Sequence, residues 1–190
     1  FSANTRKDIE TFEAETVAYG KKADENAYWK FETGYEGAIK ALDDAQKAQN
    51  SWSKSVDHNT FLATTFEFPT IMAEINKVMK ATQEDIDELR KLWGVAKETR
   101  EFLVASKEVL WSSVKPEDLE ETAKNLQKRV KIGGTKKTRA SSAVKGLDTW
   151  HEARIAAHND AVTAQLATGD HRVLAELRAA YCHNEARFDK

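Results

Sequence analysis

The 190-residue chain holds only two prolines and eight glycines. Its 32% charged and 41% apolar residues suit long exposed helices with narrow apolar seams rather than a compact, turn-rich enzyme. A net charge of -2 argues against a general nucleic-acid binder, and no apolar run approaches the roughly 20 residues that span a bilayer. Cys182 is the single cysteine, which rules out an intrachain disulfide and fits a reducing compartment.

The start, Phe1-Ser2-Ala3-Asn4 followed by Arg6, Lys7 and Asp8, is no signal peptide. Without an initiator methionine, the chain reads as an excerpt of something longer. From Ile9 the series Ile9, Phe12, Thr16, Tyr19 and Ala23 steps by threes and fours, the spacing of one helical face. It runs on through Tyr28, Phe31, Tyr35, Ile39, Leu42, Ala45, Ala48 and Trp52. This predicts one long kinked helix, or two helices broken near Gly20. Pro69 removes a backbone donor and disfavours helix at Phe68, so a helix ends there, with Phe61, Phe66 and Phe68 expected to plug the turn. The next helix fits from Thr70 as a cap, with Ile71, Ile75, Val78 and Met79 on one face. It continues, or restarts at Thr82, along Ile86, Leu89, Trp93 and Ala96 toward Leu103, Val109 and Leu110.

Pro116 with Glu117 and Asp118 behind it marks the clearest helix start, capped by Ser113 or a neighbour and ending by Gly133-Gly134. Ala143 to Leu166 and Val173 to Tyr181 read as two more helices, split by Gly169-Asp170. The expected fold is all-α, an elongated bundle of about five to six antiparallel helices. No repeat of solenoid length is evident.

Candidate chemistry dissolves on inspection. Gly133-Gly134-Thr135-Lys136-Lys137-Thr138 has the ingredients of a phosphate loop in the wrong order, and no lysine follows a glycine at the required spacing. His151-Glu152 and His158 resemble a zinc-protease helix, but the histidines are seven positions apart, about 10 Å along a helix, where a shared ion needs four. Cys182-His183 has no companions to complete a ligand set, and His58 and His171 read as loop residues. The acids Glu84, Asp85, Asp87 and Glu88, and Glu117, Asp118, Glu120 and Glu121, read as solvated charges in first helical turns rather than an acid–base pair. Ser141 and Ser142 have no base partner. The expectation is therefore no catalytic, cofactor-binding or metal site, and no cofactor.

Between Glu121 and Asp148 there is no acid, while Lys124, Lys128, Arg129, Lys131, Lys136, Lys137, Arg139 and Lys145 all fall inside. Such a run suits docking on an acidic partner, tubulin or a neighbouring subunit. A solvated helix end followed by a flexible linker explains it more simply. Of the five tryptophans, Trp29, Trp93 and Trp150 are expected in the core, Trp52 lies on an apolar seam, and Trp111 is placed at a helix corner.

The segment Phe66-Glu67-Phe68-Pro69, then Leu92-Trp93, then Leu110-Trp111 followed by Val114-Lys115-Pro116-Glu117-Asp118-Leu119, resembles the tail of dynein heavy chains just before the linker, with Tyr35 to Leu42 as the helix before it. The resemblance leans toward the axonemal type and covers about Asp8 to Lys131. The family's Arg-His-Trp signature at the linker start is missing. The implied organisation is a helical bundle over 1–131, a basic linker over 132–149 and a further helical segment over 150–190. The resemblance implies a non-catalytic strut of a microtubule motor whose ATP sites lie elsewhere. Its implied partners are other dynein subunits, neighbouring heavy chains or a microtubule-associated assembly, with no nucleic acid and no membrane. Its implied location is the cytoskeleton of a cilium or flagellum. A spectrin-like scaffold without motor activity is the alternative, although strict heptads that would favour it are interrupted by aromatics.

Overall fold

Phe12, Thr16 and Tyr19 sit on one face of the first helix, α1 (Ser2–Asp24), and with Ile9 they turn toward the second helix, α2 (Gly34–Thr65). The computed structural model describes residues 2–108, 116–132 and 134–168. Among these it holds six α-helices and no strand, an all-α bundle as the periodicity predicts. The remaining helices are α3 (Ala73–Glu108), α4 (Pro116–Ile132), α5 (Lys136–Ala140) and α6 (Ser142–Thr168). None of them is long and apolar enough to cross a membrane.

The chain divides into two compact units. The first joins the residues up to Trp29 with Glu36–Arg90, and the second joins Lys30–Tyr35 with the chain from Lys91 onward. In the first unit the polar ties run in opposite directions along neighbouring helices. Tyr19 meets Gln49 while Thr16 meets Trp52, so α1 and α2 are antiparallel. Gln46 meets Gln83 while Asp43 meets Arg90, so α2 and α3 are antiparallel as well. Ile9, Val56, Ala63, Met72, Ile75 and Met79 fill the space between the three helices. Burying each of the large aliphatic side chains contributes about 1.5–3 kcal/mol.

Gly20 does not break α1. It lies inside the helix, where a Cβ would stand 2.7 Å from Val78 Cγ1, so its missing side chain lets α1 approach α3. The break comes after Asp24, at two short 3-10 turns, Ala27–Trp29 and Phe31–Thr33. Its cause is local: the Tyr28 hydroxyl (3.1 Å) and the Trp29 indole N–H (2.9 Å) both donate to the Ala23 carbonyl, one of the carbonyls that a helix end leaves open. Two aromatics that continue the helical spacing are thus drawn back to cap the helix.

The end of α2 follows a Schellman pattern. Phe68 N–H donates to Ala63 and Glu67 N–H to Thr64, with Glu67 in the left-handed region at φ 64. Pro69 then opens a 3-10 turn that leads into α3, so Thr70 is not a helix cap. Phe66 and Phe68 are half-buried, with the Arg6 guanidinium 5.7 Å above the Phe68 ring, but Phe61 is 67% exposed and does not plug the turn. Nor does a new helix start at Thr82: α3 is continuous, and its buried positions Ile75, Met79, Thr82, Ile86 and Leu89 alternate steps of four and three.

In the second unit Val95, Leu126 and Val130 pack with Phe102 between α3 and α4. Pro116 opens α4 as its position implied. Residues 132–149, expected as a linker, are mostly helical, because two caps start new helices there. Thr135 Oγ1 accepts from Thr138 N–H at the start of α5, and Ser141 Oγ accepts from Val144 N–H at the start of α6. In α6, a Cβ on Gly146 would collide with the Phe31 ring and its Cβ, so glycine is what allows the helix to seat on that turn. Val109 to Lys115, Gly133, Gly169-Asp170 and the helix expected over Val173 to Tyr181 lie outside the described residues.

Candidate functional site

The best-built feature of the first unit is an aromatic clamp. The Trp52 indole lies between Phe12 (centroids 5.7 Å apart, planes at 16°) and Tyr19 (4.9 Å, 8°). Its N–H donates 3.0 Å to Thr16 Oγ1, and that hydroxyl donates on to the Phe12 carbonyl at 2.8 Å. Beside the clamp, Gln49 is 4% exposed and takes the Tyr19 hydroxyl on its amide oxygen, while its amide nitrogen donates to the Met79 carbonyl. Burial raises the pKa of the Tyr19 phenol. Burial raises that of Tyr28 further, and negative charge at Tyr19, Asp85 and Asp24 adds to the effect. These groups tie neighbouring helices and turns together.

Among the described residues, those considered for chemistry lie on separate elements. Thr138 is buried, and its hydroxyl donates to the Thr135 carbonyl, so the glycine–threonine–lysine stretch spends its polar groups on its own turn. Ser141 Oγ donates to the Thr138 carbonyl at 2.6 Å and caps α6, a structural role. Glu84 and Asp87 are exposed and Asp85 is buried, all in the middle of α3 rather than in a first turn, because that helix does not restart. His58 sits exposed on α2 rather than in a loop, and His151 and His158 fall on α6. His171, Cys182 and His183 lie outside the described residues. Among the described residues no three His, Cys, Asp or Glu side chains gather as a metal site would require.

Trp29 and Trp93 are buried as expected, Trp52 and Trp150 are half-buried, and Trp111 lies outside the described residues. Sequence reasoning missed Gln49. It stands seven residues after Leu42 and seven before Val56, both buried, and that spacing was the available signal.

The basic run occupies the second half of α4, all of α5 and the start of α6. Lys124, Lys128, Lys136, Lys137, Arg139 and Lys145 are exposed. Arg129 instead reaches across to α3, where its guanidinium holds both oxygens of Glu98, one of them at 3.0 Å. That hydrogen-bonded pair keeps the Glu98 carboxyl below its ordinary pKa and raises that of Arg129. Both side chains are about half exposed, so the pair contributes no more than a few tenths to 1 kcal/mol.

Over 143 residues the chain is 31% identical to the dynein alpha chain of the flagellar outer arm of Chlamydomonas reinhardtii. The match supports a dynein heavy-chain fragment. It takes in 75% of this chain but only 3% of that dynein's length, and any stretch of 143 residues in this chain includes the region from Phe61 to Leu119. No family model matches. Within the dynein-like region, Phe66-Glu67-Phe68-Pro69 forms the helix-ending turn after α2, Leu92 and Trp93 are both buried, and Pro116 begins α4; Leu110 and Trp111 fall outside the described residues.

Proposed function

We propose that the chain is a non-catalytic structural segment of a microtubule motor heavy chain, set in the tail just before the linker and coupling the tail to the ATP-driven motor region. The observation that carries this reading is the similarity to a flagellar outer arm dynein over three-quarters of the chain. Its motif order, from Phe66-Glu67-Phe68-Pro69 through Leu92-Trp93 to Pro116, supports the tail position. The helices are long enough to act as struts: the 32 residues of α2 span about 48 Å and the 36 of α3 about 54 Å. Buried ties such as Gln49 suit a part that holds position rather than one that reacts. On this reading residues 1–131 are tail, 132–149 form a basic connection, and 150–190 lead away from the recognised region. The partners are other heavy chains or dynein subunits of a microtubule-bound assembly, and the location is the axoneme of a cilium or flagellum.

The second reading is a spectrin-like helical scaffold without a motor, favoured by the up-down-up order of α1, α2 and α3 in the first unit. Sequencing the full transcript separates the two. Several Gly-x-x-x-x-Gly-Lys-Ser/Thr loops downstream are expected for the motor. A transcript that ends near Lys190 without them overturns it in favour of the scaffold.

A further inference from the structure

We propose that the exposed basic surface carried by α4, α5 and the start of α6 is a docking site for an acidic protein segment, a stretch of a partner rich in Asp and Glu. The charge is unevenly placed. Eight cations and no acid lie between Glu121 and Asp148 in a chain whose net charge is -2. Several cations pair with an acid of the chain itself, as in Arg6–Glu10, Lys77–Glu74, Arg90–Asp43 and Lys97–Glu101, and within the basic run Arg129 pairs with Glu98. Lys128, Lys136, Arg139 and Lys145 have no such partner among the described residues and are exposed.

Helix electrostatics does not account for them all. Cations in the last turn of α4 meet the negative end of its dipole, but Lys145 stands in the opening turns of α6, where a positive charge is disfavoured by a few tenths of a kcal/mol. The caps at Thr135 and Ser141 hold these side chains on ordered helices, which lowers the entropic cost of engaging a partner. Other polyanions fit less well. Residues 116–140 contain no aromatic side chain, so bases find no stacking platform. The exposed large apolar residues among those described are Phe61 and Val104, neither of them on these elements, so no described side chain there is suited to insert into a lipid surface.

The test uses the whole chain and a fluorescein-labelled oligoglutamate peptide, read by fluorescence anisotropy. Binding that weakens as salt rises is expected. Replacing Lys128, Lys136, Arg139 and Lys145 together by alanine should weaken it about tenfold or more, taking each exposed contact at its ordinary size. Replacing Lys40, Lys47, Lys77 and Lys80 together by alanine should leave it unchanged, and circular dichroism should show both variants as helical as the parent. No binding, an equal loss in both variants, or tighter binding to oligouridylate or phosphatidylserine vesicles at the same salt would overturn the proposal.

Discussion

Tyr19 donates its phenolic hydrogen to Gln49 at 2.8 Å, and Gln49 passes a second bond of 2.8 Å to the carbonyl of Met79, so one buried amide ties three helices. Tyr19→Phe strands a buried acceptor and Gln49→Leu strands a hydroxyl, and each should destabilise the protein by about 1–2 kcal/mol. The double variant should lose less than the two single losses added together. Urea unfolding of all four proteins checks this, and strict additivity would show that the bond couples nothing.

Alkaline stability should depend on Tyr28. Its phenol is 1% exposed, and burial pushes its pKa well above the ordinary 10.0, which the unfolded chain retains. The folded state therefore keeps the proton while the unfolded state loses it. The stability tied to this group is whole below pH 10 and falls as pH rises beyond it. Tyr28→Phe gives up the bond to Ala23 at neutral pH but should flatten the alkaline decline. Stability curves that stay parallel up to high pH would refute this.

Gly146→Ala ought to lower stability even though alanine is the better helix former by about 1 kcal/mol. The new Cβ would meet Phe31 at both its ring and its Cβ, which a change of rotamer cannot relieve. Overpacking of this kind costs about 1–3 kcal/mol. A rise in the unfolding midpoint would mean that α6 does not seat against that turn.

Glu67→Gly should stabilise by about 0.5–1 kcal/mol, because Glu67 holds the left-handed conformation that closes the Schellman turn and glycine adopts it without steric cost. Thermal unfolding decides it, and a destabilised variant would imply that the carboxylate makes a contact worth more than the strain.

Trp93→Ala should cost about 3–5 kcal/mol, as the side chain is 2% exposed, while Phe61→Ala, at 67% exposed, should stay within about 0.5 kcal/mol. Equal effects from the two would contradict the inward and outward directions assigned to them.

Residue spacing reveals the helical class, and proline chemistry reveals the start at Pro116 and the stop before Pro69, since each rests on local structure. Gln49 escaped because the seam was traced through apolar residues. That line includes Ala48, which is exposed, whereas Leu42, Gln49, Val56 and Ala63 mark the buried line at intervals of seven. The turn after Asp24 is hidden for another reason: no proline or glycine stands between Asp24 and Gly34, and only the folded chain brings Tyr28 and Trp29 back onto the Ala23 carbonyl. Thr135 and Ser141 were legible as residues that favour caps, but the two glycines before them drew the reading toward a linker.

Trp52 held between Phe12 and Tyr19 has a mechanical consequence. The two rings are seven residues apart, about 10 Å along α1, and the indole fits only the gap between them. Sliding α1 past α2 by one turn, about 5.4 Å, would drive a ring into the indole and pull its N–H away from Thr16. The pair of helices has no run of equivalent registers to creep through. Under a steady pull along its axis it should hold its length until the clamp opens and then yield in a single step, which force spectroscopy would read as one sharp transition.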